Sequence, residues 1–371
     1  MSVNVSRRRF LAMSAMGLTA AISSSSRLFA QEHANLKWHD VRDWGVEGKG
    51  WSDTAKYFDR LPARAEGKVP APVWSLSRHS AGMLVRFKTD ATHIWADHVI
   101  TKEGPPGNNM TAIASSGLDL YATNPKGELK WIAVSRPTGK RELSASIVNG
   151  VTKAERTYQL YLPLYNGTES LKIGIPEGAS FTPIEPRKEK PIVFYGTSIT
   201  HGASASRAGM PHPAILGRRL DRPVINLGFS GNGRMEKEVG DLLIELDPAV
   251  YVLDCLPNMV GSQVAERALP MIRQLRKARP ETPIVLIEDR TYANADFFPA
   301  HQTRHAGSRD AYKEAYETAK AEGMKKLWYI DGNLLLGADG EDTTDGSHPS
   351  DLGFWRQAAA IEPVLREALG A

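Results

Sequence analysis

Pro191-Ile192-Val193-Phe194-Tyr195-Gly196-Thr197-Ser198-Ile199-Thr200 decides the fold. Its apolar run does not alternate with polar residues, which fits a strand covered on both faces, and a glycine then delivers polar side chains into a turn. Runs of the same kind recur at Pro223 to Leu227, Ala249 to Asp254, Pro283 to Ile287 and Lys326 to Ile330. Between them the spacing becomes helical. Val239, Leu242, Leu243 and Leu246 form one stripe, Met271, Ile272 and Leu275 a second, and Tyr312, Ala315, Tyr316 and Ala319 a third. Phe354, Ala358, Ile361 and Leu365 close the chain with a fourth. Strand and helix in alternation predict a doubly wound, flavodoxin-like α/β/α domain over residues 191–371, whose ligands bind at the carboxyl ends of the strands. Ser198 lies at that edge, directly after the first strand.

Towards the N-terminus the pattern changes. Between about residues 36 and 184 the apolar runs are short: Met83 to Phe87, His93 to Val99, Trp131 to Val134, Tyr158 to Leu162 and Leu171 to Ile175. Turn clusters such as Gly104-Pro105-Pro106-Gly107-Asn108-Asn109 and Asn166-Gly167-Thr168 separate them, so this stretch predicts a β-sandwich. A charged, proline-bearing segment over 185–190 reads as the linker between the two domains.

The 371 residues carry 46 Lys and Arg against 42 Asp and Glu, a formal charge of +4. Arg7, Arg8, Arg9 and Arg27 account for that excess, since the first thirty residues hold no acidic side chain. The remainder is balanced, which gives no support for a nucleic-acid partner. Ser6-Arg7-Arg8-Arg9-Phe10-Leu11 resembles a twin-arginine signature, and a mildly apolar stretch to Ile22 and Leu28-Phe29-Ala30 follow it. Residues 1–30 therefore read as an export signal, with a periplasmic or secreted product and no stable membrane insertion after cleavage. The apolar run of about a dozen residues is short of the roughly 20 that span a bilayer. Cys255, the single cysteine, ends an apolar run and reads as a buried, inert thiol.

Asp345-Gly346-Ser347-His348 supplies the chemistry that Ser198 lacks. A serine hydroxyl is a weak nucleophile at neutral pH; it needs an imidazole to take its proton and a carboxylate to fix the imidazole tautomer. An Asp-x-x-His loop can present both groups from one turn, with the carboxylate on Nδ1 and Nε2 left for the serine. Gly196-Thr197-Ser198-Ile199-Thr200 is not Gly-x-Ser-x-Gly, which disfavours the nucleophile elbow of α/β-hydrolases. The chain instead resembles the SGNH hydrolases, also called GDSL esterases. Gly196-Thr197-Ser198 corresponds to their Gly-Asp-Ser block, with Thr in place of Asp. Asn226-Leu227-Gly228-Phe229-Ser230-Gly231 corresponds to the second block, Leu256-Pro257-Asn258-Met259 to a reduced third, and Asp345-x-x-His348 to the fourth. The resemblance implies catalytic Ser198, Asp345 and His348. It also implies an oxyanion hole from the Ser198 and Gly231 backbone amides and the Asn258 side chain. Ser116-Gly117-Leu118-Asp119-Leu120-Tyr121 resembles the Gly-x-Asp-Leu-Tyr element that precedes some SGNH domains, and the layout is similar to two-domain carbohydrate acetylesterases with a jelly-roll-like domain.

This reading needs no cofactor and no metal. His79, His93, His98, His301 and His305 stand at no metal-ligand spacing. His201 and Arg207 follow the nucleophile closely enough to be candidate substrate contacts, whereas Glu288-Asp289-Arg290 reads as a structural ion pair and Trp44, Trp51 and Trp74 as core. Asp254 has no partner at glycosidase spacing. The expected activity is an exported esterase that removes acetyl or other short acyl groups from an oligosaccharide or another small ester. A lipid or thioester acylhydrolase, a transferase passing the acyl group to a sugar, and a catalytically silent carbohydrate-binding protein are the alternatives.

Overall fold

A computed structural model describes residues 35–370. The twin-arginine segment lies outside these residues. The strands are β1 (Leu36–Asp40), β2 (Leu84–Thr89), β3 (His93–Ile100), β4 (Asp119–Thr123), β5 (Leu129–Val134), β6 (Glu142–Asn149), β7 (Arg156–Tyr161), β8 (Thr168–Pro176) and β9 (Phe181–Ile184), followed by β10 (Ile192–Gly196), β11 (Val224–Gly228), β12 (Val250–Asp254), β13 (Ile284–Ile287) and β14 (Leu327–Ile330). The helices are α1 (Ala71–Ser77), α2 (Ala112–Ser116), α3 (Ser198–His201), α4 (His212–Arg219), α5 (Lys237–Leu243), α6 (Gly261–Ala278), α7 (Pro299–Ala321) and α8 (Asp351–Leu369).

The last five strands form one parallel sheet in the order β11-β10-β12-β13-β14, the flavodoxin-like order. Each apolar run read from the sequence lies in one of these strands, to within a residue at either end. Alternate side chains explain why the runs are continuous: Val193, Tyr195, Tyr251 and Leu253 enter one core, while Ile192, Phe194, Val250 and Val252 enter the other. Helices α5, α6 and α7 cover the first face, and α4 and α8 the second.

The first nine strands form two antiparallel sheets, β1-β8-β3-β6 and β5-β4-β7-β2-β9. Val85, Phe87, Leu120 and Leu160 of one meet Ile94, Ala96, Leu171 and Ile173 of the other in a separate core, which makes this region a β-sandwich. The segment between β1 and β2 does not stay there. Trp51, Leu61, Val69 and Val73 pack with Val193, Ile225, Leu227 and Leu246, so chain from the N-terminal half finishes one face of the parallel sheet. Arg60 in this segment is buried and donates to the Asn226 carbonyl at 3.0 Å and the Gly228 carbonyl at 2.8 Å. The charged segment 185–190 is likewise tied down: Arg187 Nε donates to Glu47 at 2.9 Å and its Nη1 to Asp221 at 2.8 Å. Among the described residues no helix is long and apolar enough to cross a membrane.

Candidate active site

Ser198 is the first residue of α3, immediately beyond β10. Thr197 is extended and its Oγ1 accepts from the Ile199 N–H at 3.3 Å, which caps the short helix. The strand can turn this sharply because residue 196 has no side chain: a Cβ at Gly196 would collide with Thr200 Oγ1 and lie 2.7 Å from the Asp254 carbonyl oxygen. Gly228 serves the same end from β11, since a Cβ there would run into the backbone of His201. Thr200 donates to Asp254 Oδ2 at 2.8 Å, and Asp254 Oδ1 accepts from Arg290 at 2.9 Å, with Asp254 and Arg290 both fully buried. Burial raises the Asp254 carboxyl above its ordinary range against the pull of Arg290. The helix that carries Ser198 is thereby bonded to the end of β12 and, through Asp254, to Arg290 beyond β13.

Ser198 Oγ lies 2.8 Å from His348 Nε2, and His348 Nδ1 lies 2.8 Å from Asp345 Oδ2. The turn that joins them is closed by bonds of its own. Asp345 Oδ1 accepts from the His348 N–H at 2.8 Å and the Ser347 N–H at 3.2 Å, leaving Oδ2 for the imidazole. Burial pushes the Asp345 carboxyl upward, but the backbone N–H of His348 and its imidazole outweigh that and hold it below its ordinary value. A backbone bond from Ala293 N–H to the Gly346 carbonyl, 2.9 Å, supports the turn from the loop after β13. Hydroxyl, imidazole and ionised carboxylate in this chain can move a proton off Ser198 and hold it on His348.

The two loops named for the oxyanion hole converge beside this chain. Phe229 donates to the Gly196 carbonyl at 2.9 Å, which brings the Ser230–Gly231 turn against the end of β10. Asn258, in the short 3₁₀ turn Leu256–Asn258 after β12, donates through Nδ2 to the Asn232 carbonyl at 2.6 Å. An amide nitrogen carries two hydrogens, so this bond holds the group in place and leaves one donor. The N–H of Ser198, as the first helical residue, has no acceptor within its own helix.

The GDSL-like lipase/acylhydrolase family model matches residues 189–366. A second model, for the N-terminus of SGNH-hydrolase-type esterases and named for Gly-x-Asp-Leu-Tyr, matches residues 36–181. A structure described as a GDSL-like lipase from Bacteroides ovatus is 33% identical, with 91% of this chain and 98% of that one aligned at a TM-score of 0.86. The chain belongs to the GDSL-like, or SGNH, hydrolase family. Two more distant structures share the fold. A salicylyl-acyltransferase from a tetracycline biosynthetic pathway is 18% identical, covering 91% of this chain and 98% of its own, with a TM-score of 0.70. A family two carbohydrate esterase from Cellvibrio japonicus is 12% identical, covering 90% of this chain and 98% of its own, with a TM-score of 0.58. Comparison with curated protein sequences returns no match.

Within this SGNH hydrolase the candidate substrate contacts turn out otherwise. His201 is fully buried, stacked on Tyr165 with ring centroids 4.1 Å apart and with Nε2 2.6 Å from the Leu164 carbonyl oxygen, so it is corrected to a packing residue. Tyr165 and the Leu164 carbonyl enclose its ring, although it stands only three residues on from Ser198. Arg207 is an anchor between the domains: it pairs with Asp119 at 3.0 Å and donates to the Tyr121 hydroxyl, and Gly209 N–H donates to Asp119 at 2.8 Å. The Asp and Tyr of the Gly-x-Asp-Leu-Tyr element thus grip the loop that follows α3. Glu288, Asp289 and Arg290 are buried and engaged with Tyr329, Arg304 and Asp254 respectively. Trp51 is 9% exposed, Trp44 and Trp74 donate to Arg86 and Glu66, and Cys255 is buried with its thiol pushed up by desolvation.

Sequence reasoning missed two groups that the sandwich sends to this edge. The Tyr165 hydroxyl lies 3.3 Å from the Ser198 carbonyl oxygen, and Asn109 Nδ2 lies 3.5 Å from both Asp345 Oδ2 and His348 Nδ1. Both sit in loops whose only local signal is a turn composition.

Proposed function

We propose that the protein is a serine esterase that removes short acyl groups from a carbohydrate through an acyl-enzyme on Ser198. The observation that carries this is the continuous chain from Ser198 Oγ through His348 to Asp345, both links at 2.8 Å. In acylation Ser198 Oγ attacks the ester carbonyl, His348 accepts its proton, and the tetrahedral oxyanion meets the amides of Ser198 and Gly231 and the side chain of Asn258. Collapse expels the alcohol, which takes the proton from His348; water then repeats the sequence to release the acid. A small acyl group suits a relay this close to solvent, with Asp345 40% and His348 24% exposed. The carbohydrate assignment leans on the layout shared with the family two carbohydrate esterase, and export on the twin-arginine segment read from the sequence.

A chain-length series of p-nitrophenyl esters, run beside acetylated oligosaccharides, tests the substrate class. Turnover falling steeply beyond short acyl chains, together with acetate release from the sugar, is expected. Preference for long chains would overturn the reading in favour of a lipid acylhydrolase, and a product carrying the acyl group on an added sugar would replace hydrolysis with transfer.

A further inference from the structure

The turn-rich loop between β3 and α2 leaves the sandwich and ends against the catalytic edge. Asn109 is its last residue before Met110, which packs into the core shared with α4 and α8. Three bonds weld this stretch to the loop behind the nucleophile. Ser204 donates through Oγ to the Asn109 carbonyl at 3.0 Å, Ser204 N–H meets Met110 Sδ at 3.2 Å, and Thr111 Oγ1 donates to the Ser206 carbonyl at 2.7 Å. Ser206 N–H in turn donates to Asp351 at 2.9 Å, three residues beyond His348. Ser204 has φ +70, a conformation that costs a residue with a Cβ on the order of 1–3 kcal/mol unless its surroundings impose it. In that conformation both its N–H and its hydroxyl meet the sandwich loop.

The Asn109 amide therefore arrives in a fixed place, 3.5 Å from Asp345 Oδ2 and from His348 Nδ1. Asp345 Oδ1 already accepts two backbone N–H groups, whereas Oδ2 accepts only the imidazole, and a carboxylate oxygen has room for a second donor. A neutral amide fills that place without adding charge. At 40% exposure Asp345 would otherwise turn its free lone pair to water.

We propose that Asn109 is a positioning residue: the sandwich reaches into the active site and holds the Asp345–His348 pair in register with Ser198. This rests on the relay proposed above. It also makes the activity of the parallel-sheet domain dependent on the seating of its neighbour, because displacing the loop would release Ser204 and Asp345 together.

The test uses the full chain with Asn109→Ala, the near-isosteric Asn109→Asp, and Asn108→Ala as a control at the exposed neighbouring position. Readouts are kcat, KM and their pH dependence on p-nitrophenyl acetate, the rate of Ser198 labelling by a fluorophosphonate, and the melting temperature. Asp345 is the titratable group bonded to His348; Asp351, the nearest other acid along the chain, is bonded to Ser206. Asn109→Ala is expected to lower kcat and the labelling rate about tenfold, the order expected for one lost hydrogen bond, with KM within about twofold. Removing the amide frees Asp345 to favour the imidazolium, so the acid limb of kcat/KM moves to higher pH. Asn109→Asp moves it further, because a second carboxylate beside the imidazole favours the protonated form. A wild-type kcat and pH profile in both variants would overturn the proposal, as would a change confined to KM, which would make Asn109 a substrate contact. A wild-type chain that neither turns over nor labels would overturn the relay itself and this proposal with it.

Discussion

Ser198 and the Asp345–His348 turn meet across 2.8 Å but are held by opposite kinds of structure. Ser198 is 6% exposed, on a helix pinned by two side-chain-free strand ends and by the buried Thr200–Asp254–Arg290 chain. His348 and Asp345 are 24% and 40% exposed and owe their geometry to bonds within four residues, with the sandwich loop alongside. The position of the nucleophile is thus a property of the core. The position of its base is a property of a surface turn, and the two should respond differently to substitution and to acid.

The largest expected effect breaks both sides at once. Ser198→Ala and His348→Ala should each lower kcat by about 10⁶, and Asp345→Ala by about a hundredfold less, with losses that do not add. Melting temperatures should stay near wild type for all three. Retained hydrolysis in Ser198→Ala would remove the nucleophile assignment.

Arg290→Met attacks the nucleophile side through its foundation. It leaves the fully buried Asp254 without its cation, which costs about 3–5 kcal/mol in stability for a broken buried pair. Chemical denaturation should register that loss, and a change under about 1 kcal/mol would show that Thr200 and the surrounding structure satisfy Asp254 alone. No comparable stability loss is expected from Asp345→Asn, since Asp345 is itself 40% exposed.

Asn258→Ala sharpens the comparison from the oxyanion side. A loss of about 10² to 10³ in kcat with little change in melting temperature is expected for a donor facing the oxyanion. Since Asn258 also donates to the Asn232 carbonyl, a large fall in melting temperature with near-normal kcat would make it a loop brace instead.

Acid gives the most graded effect. His79 and His98 are held neutral by burial, with values lowered from the ordinary 6.5 to about 3. In the unfolded chain both protonate near their ordinary value, so the stability of the neutral fold is complete above it and is lost as pH falls towards about 3. Each should contribute a slope of up to about 1.4 kcal/mol per pH unit in that window. His98→Gln should flatten the fall in melting temperature between those limits; an unchanged slope would mean that His98 is not the group taking up protons.

Much of the catalytic domain was legible in one dimension. Strands buried on both faces leave apolar runs, helices leave a 3.6-residue period, and a βα repeat constrains handedness, so the class of the 191–371 fold follows from pattern. Ser198 and the Asp345–His348 turn were legible because each lies at a strand edge or within a few residues of its partner. Other features were not. Nothing in the composition of Trp51, Leu61, Val69 and Val73 says that they cover a sheet more than a hundred residues away, and nothing beside His201 says that Tyr165 and Leu164 enclose it.

By itself the sequence determined the class of fold, which depends on period, and its resemblance to the SGNH blocks named Ser198, Asp345 and His348 as the candidate relay. Tertiary structure alone decided what surrounds them. Arg207 became an anchor on Asp119 and Tyr121, Asp254 the counter-ion of Arg290, and Asn109 a neighbour of the catalytic pair. Each of these contacts joins residues from 36 to more than 230 positions apart, and at such separations a residue's partner is chosen by how sheets and loops pack, not by any pattern near it along the chain.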